Sequence, residues 1–149
     1  MTTVFDVAEW FLHRKSFTHK QLQKLCYYAQ AWHCALLKEK LFGEEIQAWI
    51  HGPVCPKLYA YYASYGWKSI EKMSGKPPEF SDNTLRVLRA VYNTYSKFTG
   101  EKLEVLTHSE TPWQEARGGL KPYEPCVNEI SFESMRSYYG KRLEEAQVD

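Results

Sequence analysis

Long apolar runs are missing: no stretch approaches the 18 or more residues of a membrane span, so no transmembrane helix is expected. An excess of one charge is missing too. With 19 basic and 18 acidic residues the formal net charge is +1, which leaves no basic footprint for a phosphate backbone. Mixed stretches such as Lys38-Glu39-Lys40 read as solvated faces, and no nucleic-acid partner is expected. Cysteine is sparse, and Cys26, Cys34, Cys55 and Cys126 include no Cys-x-x-Cys pair. Residues 1–6 show no basic segment leading into an apolar one, so no signal peptide is read there. The expected setting is the cytoplasm, with free thiols. No glycine-rich loop follows a strand pattern and no Walker sequence occurs, which removes the common phosphate cradles. No repeat or low-complexity linker divides the chain, so residues 1–149 are read as one domain. A chain of that length buries roughly 70% of its unfolded surface, enough for one core without staples.

What the chain has in excess is aromatic: 11 Tyr, 7 Phe and 5 Trp, 15% of the residues. Tyr and Trp join an apolar body to a polar tip, so the excess serves a core or a contact surface, and composition leaves both open. Helical spacing is plain through most of the sequence. Residues 3–14 place Val4, Val7, Ala8, Phe11 and Leu12 on one face behind a Thr2 or Thr3 cap. Thr18 and Gln21 form a capping box, and Leu22, Leu25, Ala29, Trp32 and Leu36 follow at three- and four-residue steps. No Gly or Pro interrupts until Gly43, so this helix runs about twenty residues, ~30 Å, and is predicted to be the central one. Residues 44–50 alternate polar and apolar, which predicts a short extended segment near 45–50. Gly52-Pro53 then forces a turn, and Pro56 opens a helix carrying Leu58, Tyr59, Tyr61, Tyr62 and Tyr65 as far as Gly66. Ser81 caps a stripe of Leu85, Leu88, Val91, Tyr92 and Tyr95 that Gly100 closes. Residues 101–106 read as a short helical turn, and Thr111-Pro112-Trp113-Gln114 as a capped start ending at Gly118-Gly119. A last helix is read from near Ser131 to near Gly140. The fold class is therefore all-α: five or six helices around one long central helix.

Cysteine and histidine recur in the middle of the chain and invite a metal reading. Cys26 and His33 lie seven residues apart on one helix, Cys34 points about 100° round it, and His51 and Cys55 straddle the Gly-Pro turn. None of these has the two close pairs of a zinc site, so neither a metal nor another cofactor is expected. Cys55 precedes a helix and has His51 near it, the setting in which a thiol is activated. A small enzyme using His51, Cys55 or His108 is thus an alternative, with no protease or transferase elbow to support it. Acidic pairs such as Glu44-Glu45 and Glu144-Glu145 read as surface charge, and a helix-turn-helix would lack a basic recognition helix. What remains is a set of aromatic and histidine residues beside backbone punctuation. These are Trp49-Ile50-His51-Gly52-Pro53-Val54 with Tyr59, and Leu106-Thr107-His108 leading to Pro112-Trp113. Trp32 reads as core, whereas Trp49 and Trp113 suit packing or an interface anchor. Binding, and not catalysis, is the function these residues favour.

At the same segments the chain resembles the Panacea domain, the SocA-like antitoxin family. Lys24-Leu25-Cys26-Tyr27-Tyr28-Ala29-Gln30-Ala31-Trp32-His33 is similar to the family's signature helix. The likeness continues through Leu41-Phe42, Ile46, Ala48-Trp49, Gly52-Pro53-Val54, Pro56 and Leu58-Tyr59. It resumes at Leu103, Leu106-Thr107-His108, Glu110 and Pro112-Trp113, and spans roughly residues 5–139. His51 and Cys26 depart from it, standing where an aromatic and an aliphatic residue are expected. The resemblance implies a helical antitoxin, common in bacteria and phages, that neutralises a cognate protein toxin by direct binding. It also implies a second reading, an adaptor that passes the bound toxin to a protease, or a phage accessory protein. Some members carry an added DNA-binding domain, for which this chain has no room. The candidate contact residues are Trp49, His51, Gly52, Pro53, Val54, Tyr59, His108, Pro112 and Trp113, serving either folding or contact.

Overall fold

A helix from His19 to Leu37 (α2) runs through the middle of the computed structural model, which describes residues 1–148 and their side chains as far as Glu145. Thr18 caps it in the capping box read from sequence: Thr18 Oγ1 accepts from the Gln21 amide at 3.1 Å, and the Thr18 amide donates to Gln21 Oε1 at 2.9 Å. Its buried residues lie on every side, from Leu22 and Leu25 to Tyr27, Tyr28 and Cys34, because other elements pack all round it. Leu36 is the exception to the predicted stripe, at 39% exposed. The helix also stops six residues short of Gly43. Lys38 takes a left-handed conformation (φ 62°), and the Gln30 side chain recaptures the returning backbone at Leu41 and Phe42, so those two apolar residues fold back into the core.

Around α2 stand Val4–Arg14 (α1), Pro56–Tyr62 (α3), Asp82–Tyr95 (α4), Gly100–His108 (α5), Thr111–Arg117 (α6) and Phe132–Val148 (α7). Seven helices are thus present among the described residues, and the protein is predominantly helical. The sequence reading undercounted because residues 100–108 make a full helix. Gly100 opens α5 behind a Thr99 cap, and α4 has already ended at Tyr95. The last helix likewise passes through Gly140. One glycine inside a helix costs only about 1 kcal/mol, and Tyr139 before it is anchored in the core. α6 begins at Thr111 itself, one residue earlier than a Thr111 cap implies, with Glu110 as N-cap.

Two small antiparallel sheets complete the fold. Phe17–Thr18 (β1) pairs with Ser69–Ile70 (β4), a contact between distant segments that no local pattern announces. Gln47–Trp49 (β2) pairs with Gly52–Val54 (β3), with Trp49 opposite Gly52. The chain therefore reverses at Ile50 and His51, and Gly52-Pro53-Val54 is the returning strand and not the turn itself. Residues 128–130 add to the other edge of β2: the Ala48 amide donates to the Asn128 carbonyl at 2.9 Å, and the Ile130 amide to the Ile46 carbonyl at 2.8 Å. β2 is in this way held on both of its edges.

Candidate functional site

Behind the hairpin, α5 and α6 hold its base. Trp113 Nε1 donates to the Trp49 carbonyl at 2.8 Å, and the buried Arg117 donates to the Ala48 carbonyl at 2.9 Å and to the carbonyls of Lys121 and Glu124. The guanidinium also lies over the Trp113 ring, and His108 stacks on the same indole at 3.9 Å between centroids. Of the candidate residues, His108, Pro112 and Trp113 thus serve as the hairpin's support; Pro112 lies buried in the first turn of α6. Burial lowers the His108 pKa, and its Nε2 is enclosed with no hydrogen-bond partner among the described residues.

In front of the hairpin is an open cavity of about 810 Å³, reached by Trp49, His51, Val54 and Tyr59. The rings of Trp49 and Tyr59 meet at a tilt of 57° with centroids 5.1 Å apart, and Trp49 Nε1 is satisfied by Gln47 Oε1 at 2.8 Å. His51 is exposed and its Nδ1 donates to Glu104 Oε2 at 3.3 Å. Gly52 and Pro53 are buried beneath this wall, so they shape the groove without presenting a surface to it. Gly52 has a specific reason to be glycine. Its φ is +112°, and a Cβ there would come within 2.8 Å of Lys24 Cε.

Several residues of the groove were not singled out from sequence. Trp67 is 95% exposed and Val127 69% exposed, both lining the same cavity from loops with no periodic pattern. Lys24, His19 and Gln23 form part of the lining from α2. Gln23 binds the start of α3, accepting from the Cys55 amide at 2.9 Å, and donates to His19 Nε2 at 3.1 Å. Burial, and after it the neighbouring Lys24, lowers His19 to about 4, so its ring is neutral near pH 7. Burial lowers Lys24 to about 7, helped by repulsion from Lys20 and opposed by Glu104. Burial works against the charge on Glu104 as well, but the Lys20 ammonium at 2.6 Å and His51 prevail and hold its pKa down. The sequence does carry a signal for Lys24. Its helical neighbours at three and four residues are Lys20, Gln21, Tyr27 and Tyr28, so it has no acid to pair with inside an otherwise apolar stretch.

The Cys55–His51 pairing finds no support as chemistry. Cys55 is buried, and burial pushes its thiol up despite the amides of Leu58 and Lys57 that favour the thiolate. Among the described residues no three His, Cys, Asp or Glu side chains gather to hold a metal ion, and no helix is long and apolar enough to cross a membrane.

The family model of the SocA-like antitoxins, Panacea domain, matches residues 22–114, more than half of the chain. That span runs from α2 through the hairpin, α3, α4 and α5 into α6, and so contains most of the groove. No curated protein and no solved structure matches the chain. On the family match, the chain belongs to the SocA-like antitoxin family, as a Panacea-domain protein.

Proposed function

We propose that the protein is an antitoxin that neutralises a cognate protein toxin by direct binding, with the groove in front of the β2–β3 hairpin as its contact face. The observation that carries this is the exposed aromatic rim: Trp67 stands 95% in solvent beside Tyr59, Trp49 and Val127 on the edge of one cavity. A lone exposed Trp is ordinary, but a cluster of large apolar side chains around a concavity is the usual composition of an interface core. Family membership supports a protein partner in general. The raised thiol of Cys55 supports a role without catalysis. Residues 1–149 act as one such domain in this reading, because α1 and α7, outside the matched span, both pack on α2. The cytoplasm as site of action and delivery of the toxin to a protease belong to the same proposal.

Co-expression with the toxic neighbouring gene tests it. The wild-type chain restores growth, and Trp67→Ala combined with Val127→Ala lowers rescue at least tenfold while the protein stays folded. A neighbour that is harmless alone, or lethal beside abundant folded protein, overturns the antitoxin reading. Rescue that depends on a host protease would select the adaptor form of it.

A further inference from the structure

Lys24 is 2% exposed, yet it lines the groove. Among the described residues it has neither a side-chain hydrogen-bond partner nor an ion pair. The carboxylate that acts on it, Glu104, is already held by Lys20 at 2.6 Å and by His51 at 3.3 Å. The other charged or titratable groups facing this region are Lys20 and His19 on its own helix, His108 from α5, His51 from the hairpin and Tyr59 from α3, with Glu101 and Cys126 further along the groove. Gly52 packs directly against the side chain: an added Cβ there would lie 2.8 Å from Lys24 Cε and 3.3 Å from Nζ. An amine so largely withdrawn from water, with no internal acceptor, is costly to the fold when charged and is satisfied only through the groove onto which it opens. Burial, reinforced by Lys20, brings it to about 7, so it passes between its two forms near neutral pH.

We propose that Lys24 is a carboxylate receptor, taking an Asp or Glu side chain from an extended, apolar-flanked segment of the partner protein, whose flanks lie on Trp49, Tyr59, Trp67 and Val127. This rests on the groove being the partner-binding face. The ligand is acidic because an ammonium in low dielectric gains a short, charge-assisted bond from a carboxylate, and a neutral segment would seal it in unpaired. It is a segment of a protein and not a small free acid because the rim is too exposed. A small molecule is usually enclosed over most of its surface, whereas Trp67 and Val127 would stay in water around one. Binding the acid raises the Lys24 pKa, so above pH 7 the complex takes up a proton, and affinity falls by up to about tenfold per pH unit.

The test uses the full chain with hexanoate as probe and hexanol as its neutral control, read by the Lys24 Cε resonance as pH is varied. Free Lys24 titrates near neutral pH, and saturating hexanoate moves its midpoint up by a unit or more. Hexanoate binds at least tenfold more tightly than hexanol, and Lys24→Met, which remains folded, loses that preference. Equal binding of the two probes, or hexanoate binding unchanged in Lys24→Met, overturns the receptor. Saturation by hexanoate at about micromolar concentration would instead make a free acid the occupant and overturn the peptide segment. The growth assay separates the two proposals. Rescue lost with Trp67→Ala but intact with Lys24→Met overturns the carboxylate and keeps the groove; rescue absent even for wild type overturns neutralisation and leaves the probe titration to decide Lys24.

Discussion

Glu110, packed against α2, and Lys24, which stands on it, are both ionisable and both buried, and they are treated in opposite ways. Glu110 Oε1 accepts from Tyr28 at 2.9 Å and from Tyr139 at 2.8 Å, and Tyr139, its proton committed there, accepts from Tyr27 at 2.9 Å. Tyr28 stacks on Tyr95 at 3.9 Å, whose hydroxyl takes the Trp32 Nε1–H at 3.0 Å. Burial raises the Glu110 pKa and the two phenol bonds oppose it. A turn earlier on the same helix, Lys24 is buried more deeply and has no such partners. The closed network ties α2 to α6 and α7 and asks nothing of a ligand. The open one is left for something outside the chain, and the contrast separates aromatic residues that build the fold from those that face a partner.

The contrast breaks first at Glu110. Glu110→Ala strands the hydroxyls of Tyr28 and Tyr139 in the core, and the loss is about 4 kcal/mol in urea unfolding. Glu110→Gln keeps an acceptor oxygen and loses roughly 1 kcal/mol. Equal losses for the two would mean that volume, and not the acceptor, is what Tyr28 and Tyr139 require.

Lys24→Met goes the other way and stabilises the protein, by about 3 kcal/mol at pH 6. The sign follows from linkage. The folded pKa, about 7, lies below the unfolded value near 10.5, so the unfolded chain binds more protons between those limits. Wild-type stability therefore rises with pH from about 7, and the gain from Lys24→Met falls by about 1.4 kcal/mol per pH unit, until little of it is left at pH 9. Above about 8.5 the rise is countered, because burial holds the thiols of Cys26, Cys34 and Cys55 protonated in the fold while they ionise in the unfolded chain. A flat difference between wild type and Lys24→Met from pH 6 to 9 would show that the amine is solvated, and the comparison with Glu110 would collapse.

How much of this was legible in sequence divides along the same line. The capped helices were readable because their signals are local: Thr3 with Asp6, Thr18 with Gln21 and Ser81 with Thr84 all close within three residues. The end of α2 at Leu37 and the passage of α7 through Gly140 were not, since Gln30 and the packing of Tyr139 bear on them from elsewhere in the fold. Trp49 and Tyr59 were found on the groove because they flank the Gly-Pro punctuation. Trp113 and His108 were grouped with them but turn out to hold the hairpin from behind. Trp67 and Val127 lie in loops without periodicity, so only the closure of the chain around α2 brings them to the rim. Lys24 was passed over within the signature helix: no acid stands three or four residues from it, but its missing partner is a three-dimensional fact.

The smallest effect addresses whether hairpin and amine are one device. Gly52→Ala meets two separate costs: a φ of +112° that an L-residue resists, and a Cβ 2.8 Å from Lys24 Cε. Backbone strain alone costs about 1 kcal/mol or somewhat more, and persists whatever stands at position 24. The clash does not persist, because Lys24→Ala removes the atoms in its way; Thr107 Oγ1 at 3.0 Å is the neighbour left to give. In a double-mutant cycle by urea unfolding, Gly52→Ala should thus cost about 2 kcal/mol with Lys24 present and about 1 kcal/mol with Lys24→Ala. That coupling of about 1 kcal/mol is the measure of how closely the returning strand is fitted over the amine. Zero coupling would mean that Lys24 swings clear at no cost, so that Gly52 answers to the backbone alone and the groove floor is looser than the partnerless, buried amine requires.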